Sequence, residues 1–167
     1  MTCLKRYTVF PGQYVITSVP TLITTVLGSC ISVCLWSREL KLGGMNHYLL
    51  PGTSDDTGNA NRGIGAIPML IKALVNRKVN IETLEAKIFG GCNSFCQDND
   101  IFRIGERNAA LAFELLNEHN IPVAAHHVGG SYGRKIVFNT DTGKVRMRLL
   151  KETSIEVNEK IDKGFGY

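Results

Sequence analysis

The feature that most constrains the fold is a stretch of 31 residues, 7–37, that contains no Asp, Glu, Lys, Arg or His. One residue in five of the whole chain is charged, so about six charges would be expected in a stretch of this length. The length would allow a membrane span, but prolines, glycines, a glutamine and five threonines interrupt it. Its apolar residues are rich in Val and Ile, which favour strands. The stretch therefore predicts buried β-sheet.

The overall composition limits the class of protein further. Lys and Arg number 19 and Asp and Glu number 15, and this net charge of +4 without a basic block does not indicate a nucleic-acid partner. No signal-peptide pattern precedes the uncharged stretch, so we expect a cytoplasmic protein without membrane insertion. The length of 167 residues predicts a single domain over 1–150, followed by a charged C-terminal tail over 151–167.

The cysteines of a chain without an export signal are expected to be reduced thiols. There are five, and four of them form two C-x3-C pairs. Cys30 and Cys34 lie in the apolar stretch with the even spacing of one strand. The pair Cys92 and Cys96, in GGCNSFCQ, is therefore the better of the two candidates for a zinc site.

The periodicity of apolar residues predicts a mixed α+β chain, in the broad α/β class. Apolar residues three and four apart predict two main helices, over 64–78 and 104–119. The predicted strands cover 14–19, 21–36 with a weak point at Gly28, 41–51, 84–91, 121–128, 135–139 and 144–150. Residues 129–134 predict a sharp glycine-rich turn rather than a ligand site. We therefore expect β-sheets packed with two helices.

The first hairpin suggests a pairing of chemical interest. A four-residue loop at 37–40, or a two-residue loop at 38–39, pairs Trp36 with Lys41. In that register, six residues further along each strand, Cys30 faces His47. Directly opposed residues on one face have Cβ atoms about 4.5–5.5 Å apart, which lets a thiol meet an imidazole.

A thiol beside an imidazole is the arrangement of a cysteine nucleophile, because only the thiolate attacks and the imidazole can accept its proton. Thr24 lies six residues before Cys30, an even offset that places both on one face of a continuous strand, so its hydroxyl could orient His47. The alternative is that Cys30 is a small core residue and His47 a structural histidine. His126 and His127 are adjacent, and we expect them on opposite faces of a strand rather than as a ligand pair.

Several separated motifs resemble one family. They are LGSC at 27–30, GGMNHYLLP at 43–51, LEAKIFGG at 84–91, IGERN at 104–108 and VGGSYGRKIVFNTDTGKV at 128–145. In this order they are similar to the CheD family of chemoreceptor glutamine deamidases. The resemblance implies a mixed α/β fold like that of the cytotoxic necrotizing factor deamidases. It also implies a catalytic triad of Cys30, His47 and Thr24.

The resemblance further implies a reaction and partners. The reaction is hydrolysis of glutamine side-chain amides on the helical cytoplasmic domain of chemoreceptors, with neither metal nor cofactor. A CheC-type phosphatase is an expected second partner. Residues 59–70, the Cys92 and Cys96 pair and the tail beyond Leu150 depart from the family pattern. A different class of function, a binding module that regulates a phosphatase or a receptor array without rapid catalysis, stays open at this point.

Overall fold

The computed structural model describes residues 4–93 and 103–151. Within these ranges there are nine strands, two α-helices and two short 3-10 helices at Ser54–Asp56 and Ile81–Thr83. In chain order the strands and α-helices are β1 Lys5–Thr8, β2 Gln13–Thr17, β3 Thr21–Leu27, β4 Ile31–Ser37, β5 Leu42–His47, α1 Gly63–Asn76, β6 Leu84–Gly90, α2 Ile104–Glu118, β7 Val123–Val128, β8 Gly133–Asn139 and β9 Val145–Leu150. The predicted mixed α+β class with two main helices is confirmed. Cys96 and the tail beyond Lys151 lie outside the described residues.

The strands form two sheets. A four-stranded sheet has the order β1-β3-β8-β9, and a five-stranded sheet has the order β2-β5-β4-β6-β7. Strands β1 and β3 are parallel, as are β6 and β7, and the other pairs are antiparallel. The single strand expected over 21–36 is therefore wrong, because β3 belongs to one sheet and β4 to the other. Residues 28–30 carry the chain from sheet to sheet.

Two apolar layers hold the molecule together. Between the sheets lie side chains from both, including Ile23, Trp36, Met45 and Phe138. A second layer joins the outer face of the five-stranded sheet to the helices, with side chains including Val33, Leu35, Leu70, Leu74 and Leu116. Every residue of β4 is buried because this strand is covered on both faces. This burial explains why the central part of the uncharged stretch carries no charge.

The first part of the uncharged stretch behaves differently. Strand β1 is exposed along its whole length, and Phe10 and Tyr14 are exposed large apolar residues. The prediction of buried sheet is confirmed for β4 and for one face of β3, and it is wrong for residues 7–14, where Val9 alone is buried. None of the helices in 4–93 and 103–151 is long and apolar enough to cross a membrane.

The turn predicted at 129–134 is confirmed. Gly129 and Gly130 have φ values of 78° and 73°, a conformation that favours glycine. The buried guanidinium of Arg134 donates hydrogen bonds to the carbonyls of Gly129 and Tyr132, and so closes the turn. The two histidines before it have separate environments, as expected: His126 meets the ring of Phe113, and His127 contacts Arg134.

Candidate active site

The β4–β5 hairpin has a register two residues away from the predicted one. Trp36 pairs with Gly43, and the loop occupies residues 38–41. The predicted direct pairing of Cys30 with His47 is therefore wrong. A two-residue shift preserves which face each side chain occupies, because side chains alternate with a period of two.

The observed register still places Cys30 and His47 on one face of the five-stranded sheet. Ile31 and Tyr48 exchange backbone hydrogen bonds of 3.1 and 3.0 Å. Continuing this register places His47 opposite Ser32, and Cys30 lies two residues before Ser32 on the same face. Diagonal neighbours of this kind have Cβ atoms about 7–8 Å apart, within reach of a long or aromatic side chain. Cys30 is half-buried and packs against the layer between the sheets.

His47 is held from the other sheet. Its side chain is buried, and Nδ1 lies 2.9 Å from Oγ1 of Thr25 on β3. The Thr25 hydroxyl donates its one proton to the carbonyl of Val9, at 2.7 Å. Thr25 must therefore accept from Nδ1–H, which leaves the lone pair on Nε2. Nε2 is buried and has no hydrogen-bond partner among the described residues.

Thr25, and not Thr24, makes this contact. Thr24 Oγ1 donates to the carbonyl of Ile136 at 2.9 Å, on the face of β3 that points away from the five-stranded sheet. The even offset between Thr24 and Cys30 does not decide their faces, because the strand ends at Leu27 and the chain changes sheets before Cys30. We therefore correct the predicted contact with His47 from Thr24 to Thr25. Thr24 lines the cleft above His47.

The segment that carries Cys30, the candidate nucleophile, is fixed by hydrogen bonds that its backbone carbonyls accept. The carbonyls of residues 28–30 accept, in chain order, from Cys92 N at 2.9 Å, Asn108 Nδ2 at 2.9 Å and Gly91 N at 2.8 Å. Because the N–H of a trans peptide points opposite to the carbonyl before it, the N–H groups of residues 29 and 30 point away from these partners. At Gly90 an added Cβ would lie 2.0 Å from the carbonyl oxygen of Cys30, so only glycine fits.

Asn108 joins the two halves of the site. Its Nδ2 donates to the carbonyls of Ser29 at 2.9 Å and Leu49 at 2.8 Å, and its backbone carbonyl accepts from the Tyr48 hydroxyl at 2.6 Å. The residue is fully buried in α2. Asn108 therefore links the segment before Cys30 to the segment after His47. Sequence reasoning did not assign it this role, although an asparagine on the apolar face of a helix was the available signal.

Burial keeps both candidate groups neutral. It raises the pKa of the Cys30 thiol, an effect opposed by hydrogen bonds with the backbone of Cys30 and Gly28 and reinforced by the nearby Cys92 thiol. It lowers the pKa of His47, opposed by a hydrogen bond with the Val9 carbonyl. The resting pair is therefore a thiol and a neutral imidazole, and the proton must move during the attack.

The other described cysteines have a different character. Cys34 lies in β4, and burial raises its pKa to about 12, the environment of an inert core thiol. Cys92 is also buried, and its expected zinc-site partner, Cys96, lies outside the described residues. In the described part of the chain no three His, Cys, Asp or Glu side chains are grouped closely enough to share a metal ion.

A cleft of about 280 Å³ opens over His47. Its walls come from the segment after β1 and from the outward side of β3 and β8, and the residues that line it are Thr8, Val9, Phe10, Pro11, Thr24, Thr25, Val26, His47 and Lys135. The imidazole is therefore approached from the four-stranded sheet.

Comparison with known proteins gives a consistent family. A family model described as "CheD chemotactic sensory transduction" matches residues 49–149, a match that starts after His47. A "probable chemoreceptor glutamine deamidase CheD" of Trichlorobacter lovleyi is 42% identical over 144 residues, which cover 85% of this chain and 89% of that protein. A protein of the same name from Agrobacterium fabrum is 40% identical over 149 residues, 87% of this chain and 81% of that protein.

Two further proteins are similar to this chain. A "probable chemoreceptor glutamine deamidase CheD 1" of Anaeromyxobacter dehalogenans is 40% identical over 139 residues, 83% of this chain and 81% of that protein. Among solved structures, a Bacillus licheniformis hypothetical protein, YfiH, matches with a TM-score of 0.47 and 17% identity over 71% of this chain and 50% of that chain.

Proposed function

The chain belongs to the CheD family, and from that premise we propose that it is a protein-glutamine deamidase that converts glutamine side chains of bacterial chemoreceptors to glutamate and ammonia. The observation that carries the proposed mechanism is the hydrogen bonding and burial of the two ring nitrogens of His47. Its Nδ1 is fixed by Thr25, and its Nε2 lone pair is buried on the sheet face that carries Cys30. A general base for a thiol needs a ring nitrogen with a free lone pair on a ring that is fixed through its other nitrogen, and Nε2 of His47 meets both conditions.

In the first half of the reaction the Cys30 sulfur attacks the carboxamide carbon, and His47 Nε2 takes the thiol proton. The amide oxygen becomes an oxyanion. The N–H groups of residues 29 and 30 are the candidates for its stabilisation, since the carbonyls of residues 28–30 are all engaged on the opposite side. The carbon–nitrogen bond then breaks, and the amine leaves as ammonia with the proton from Nε2. A thioester remains on Cys30.

In the second half a water molecule attacks the thioester carbon while His47 Nε2 takes one of its protons. The new carbon–oxygen bond forms and the carbon–sulfur bond breaks. The sulfur regains its proton from Nε2, which returns the site to a thiol and a neutral imidazole. Thr25 acts throughout by holding Nδ1–H, so that Nε2 stays the nitrogen that gives and takes the proton. Thr25 thus replaces Thr24 in the proposed triad.

The proposal includes the place of action and the partners. The substrate is the helical cytoplasmic domain of chemoreceptors, and the protein acts in the cytoplasm. A CheC-type phosphatase is the proposed second partner, on the strength of the family resemblance. One catalytic domain over 1–150 and a separate tail over 151–167 complete the proposed organisation.

The test is mass spectrometry of receptor cytoplasmic fragments after incubation with the protein. We expect the mass increase that accompanies conversion of an amide to a carboxylic acid, located on glutamine by peptide mapping. Cys30→Ala should abolish the change. Cys34→Ala is the matched control, since Cys34 is a buried thiol four residues further along the chain, and it should retain activity while folded.

Two results would overturn parts of the proposal separately. Unchanged fragment mass with the native protein would remove the enzyme and leave a non-catalytic binding module. Conversion that survives Cys30→Ala would keep the enzyme and reject the nucleophile.

A further inference from the structure

Three clefts that share lining residues lie along the outer face of the four-stranded sheet. The cleft over His47 adjoins a second cleft of about 50 Å³, with which it shares Thr24 and Lys135. The second adjoins a third of about 390 Å³, with which it shares Leu22 and Val137. The groove therefore runs across the sheet from His47 to the start of β9. We call these three clefts together the outer groove.

The described residues that line the outer groove carry charge of one sign. Lys135, Arg6, Lys144 and Arg146 line it, and among the residues that the structure describes no Asp or Glu lines its three clefts. Arg148 is directly opposite Lys135 across the β8–β9 pair and so lies on the same face.

The floor of the groove is apolar between the cations. Leu22 and Val137 lie at its centre, on strands whose opposite faces are buried against the other sheet. An apolar strip bordered by cations attracts a partner with apolar and acidic side chains. The register relates the cations to the site: Thr24 pairs with Val137, and Val137 pairs with Arg146. Two strand spacings separate Thr24 from Arg146, about 10 Å.

We propose that the outer groove binds an acidic segment of the protein substrate and so delivers the target glutamine to His47. The inference rests on the proposed function, which makes the occupant a protein chain. Along a helix, about 10 Å corresponds to about seven residues. The acidic residues that the groove recognises therefore lie about two helical turns from the glutamine that is deamidated. The groove selects substrates by charge, and the chemistry stays with Cys30 and His47.

The test compares two double charge reversals. Lys144→Glu with Arg146→Glu changes the groove at the end far from His47. Lys72→Glu with Arg77→Glu makes the same change in net charge on the exposed side of α1, in the other layer of the molecule. The readout is KM and kcat for deamidation of a receptor cytoplasmic fragment. We expect the groove variant to raise KM about tenfold or more with little change in kcat, and the control variant to change neither by more than about twofold.

Two further measurements strengthen the test: the dependence of KM on ionic strength, and the KM of a variant with neutral side chains in the groove. The native KM should rise with ionic strength, and the groove variant should respond less, because screening acts on charges that it no longer has. Lys144→Gln with Arg146→Gln should give an intermediate KM. Circular dichroism melts of all variants establish that each is folded at the assay temperature. Equal KM values for the groove and control variants would overturn the inference and leave the deamidase proposal intact.

A binding measurement distinguishes the two proposals if the native protein shows no activity. Cys30→Ala protein, with and without the groove substitutions, is titrated with the receptor fragment by calorimetry. If only the protein with the groove substitutions loses binding to the fragment, the inference about the outer groove is supported whatever the outcome for catalysis. Mixed-sequence duplex DNA is the comparison ligand. The inference would be overturned in favour of a nucleic-acid surface if DNA bound as tightly as the fragment and the same substitutions abolished DNA binding.

Discussion

At the scale of single residues, one hydroxyl group decides which nitrogen of His47 can act as a base. Thr25→Val keeps the volume of the side chain and removes the hydroxyl that accepts from the buried Nδ1–H, which costs about 1–3 kcal/mol. Since about 1.4 kcal/mol is tenfold in rate, we expect kcat for deamidation to fall about 10- to 100-fold. The measurement is the initial rate of ammonia release at saturating receptor fragment.

The neighbouring residue supplies the matched control. Thr24→Val removes a hydroxyl that donates to the Ile136 carbonyl and does not contact the imidazole, so kcat should stay within about twofold of native. Equal losses in the two variants would contradict the assignment of Thr25. Sequence alone could limit the choice to a threonine near β3, but not decide between two adjacent ones. Counting faces from Cys30 requires a continuous strand, and this strand ends at Leu27.

The pH dependence follows from the neutral state of His47. Protonation of Nε2 removes the lone pair that accepts the thiol proton, so kcat/KM should fall as the pH decreases through the pKa of the imidazole. Burial lowers that pKa, which places the midpoint of the acid limb below the ordinary histidine value of about 6.5. The profile is measured with native protein between pH 5 and 8, with the Cys34→Ala variant as the control. A midpoint above the ordinary value would show that the site stabilises an imidazolium.

At the scale of secondary-structure elements, Asn108 couples a helix to the two strands of the site. Asn108→Leu keeps the volume and removes both donors, so the carbonyls of Ser29 and Leu49 lose their partner. We expect the free energy of unfolding to fall by about 1–3 kcal/mol. We also expect kcat to fall about tenfold at a temperature well below the melt, with KM unchanged, because the nucleophile and the base lose their common support.

The control for this change lies on the same helix. Asn117→Leu alters an exposed asparagine of α2, and both stability and kcat should stay near native values. A variant at Asn108 that loses stability but keeps native kcat would give the residue a purely structural role. Thermal denaturation and kcat are measured on the same samples, so that the two effects are separated.

The sequence predicts the β4–β5 hairpin but not its register. The existence of the hairpin and the faces of its residues follow from the alternating pattern, and both agree with the structure. The register does not follow, because Ser37 is a polar residue that reads as turn but continues the strand with a buried side chain. Lys41 takes the left-handed conformation, with φ of 46°, in place of the expected strand. Local sequence does not identify which polar residue the core will bury.

At the scale of the whole molecule, the site exists only where the two sheets meet. Thr25 belongs to the four-stranded sheet and His47 to the five-stranded sheet, so their hydrogen bond spans the layer between them. The mixed α+β class and the two helices could be predicted from periodicity. The division into two sheets could not, since β3 and β4 read as one apolar run, and pairing partners such as β3 with β8 are more than a hundred residues apart. Only the packing of the complete chain decides that division.

Because the site spans both sheets, mutations in the two apolar layers should differ in their effect on catalysis. Phe138 lies between the sheets, with its ring against Gly43, and Ile67 lies in the layer between sheet and helices. Phe138→Leu and Ile67→Val should each lower the free energy of unfolding by about 0.5–3 kcal/mol. At a temperature where both are folded, only Phe138→Leu should lower kcat, by about tenfold, because it alone shifts Thr25 relative to His47. Chemical denaturation gives the stabilities and ammonia release gives kcat. Equal kcat for the two variants would show that the site does not depend on how the sheets pack.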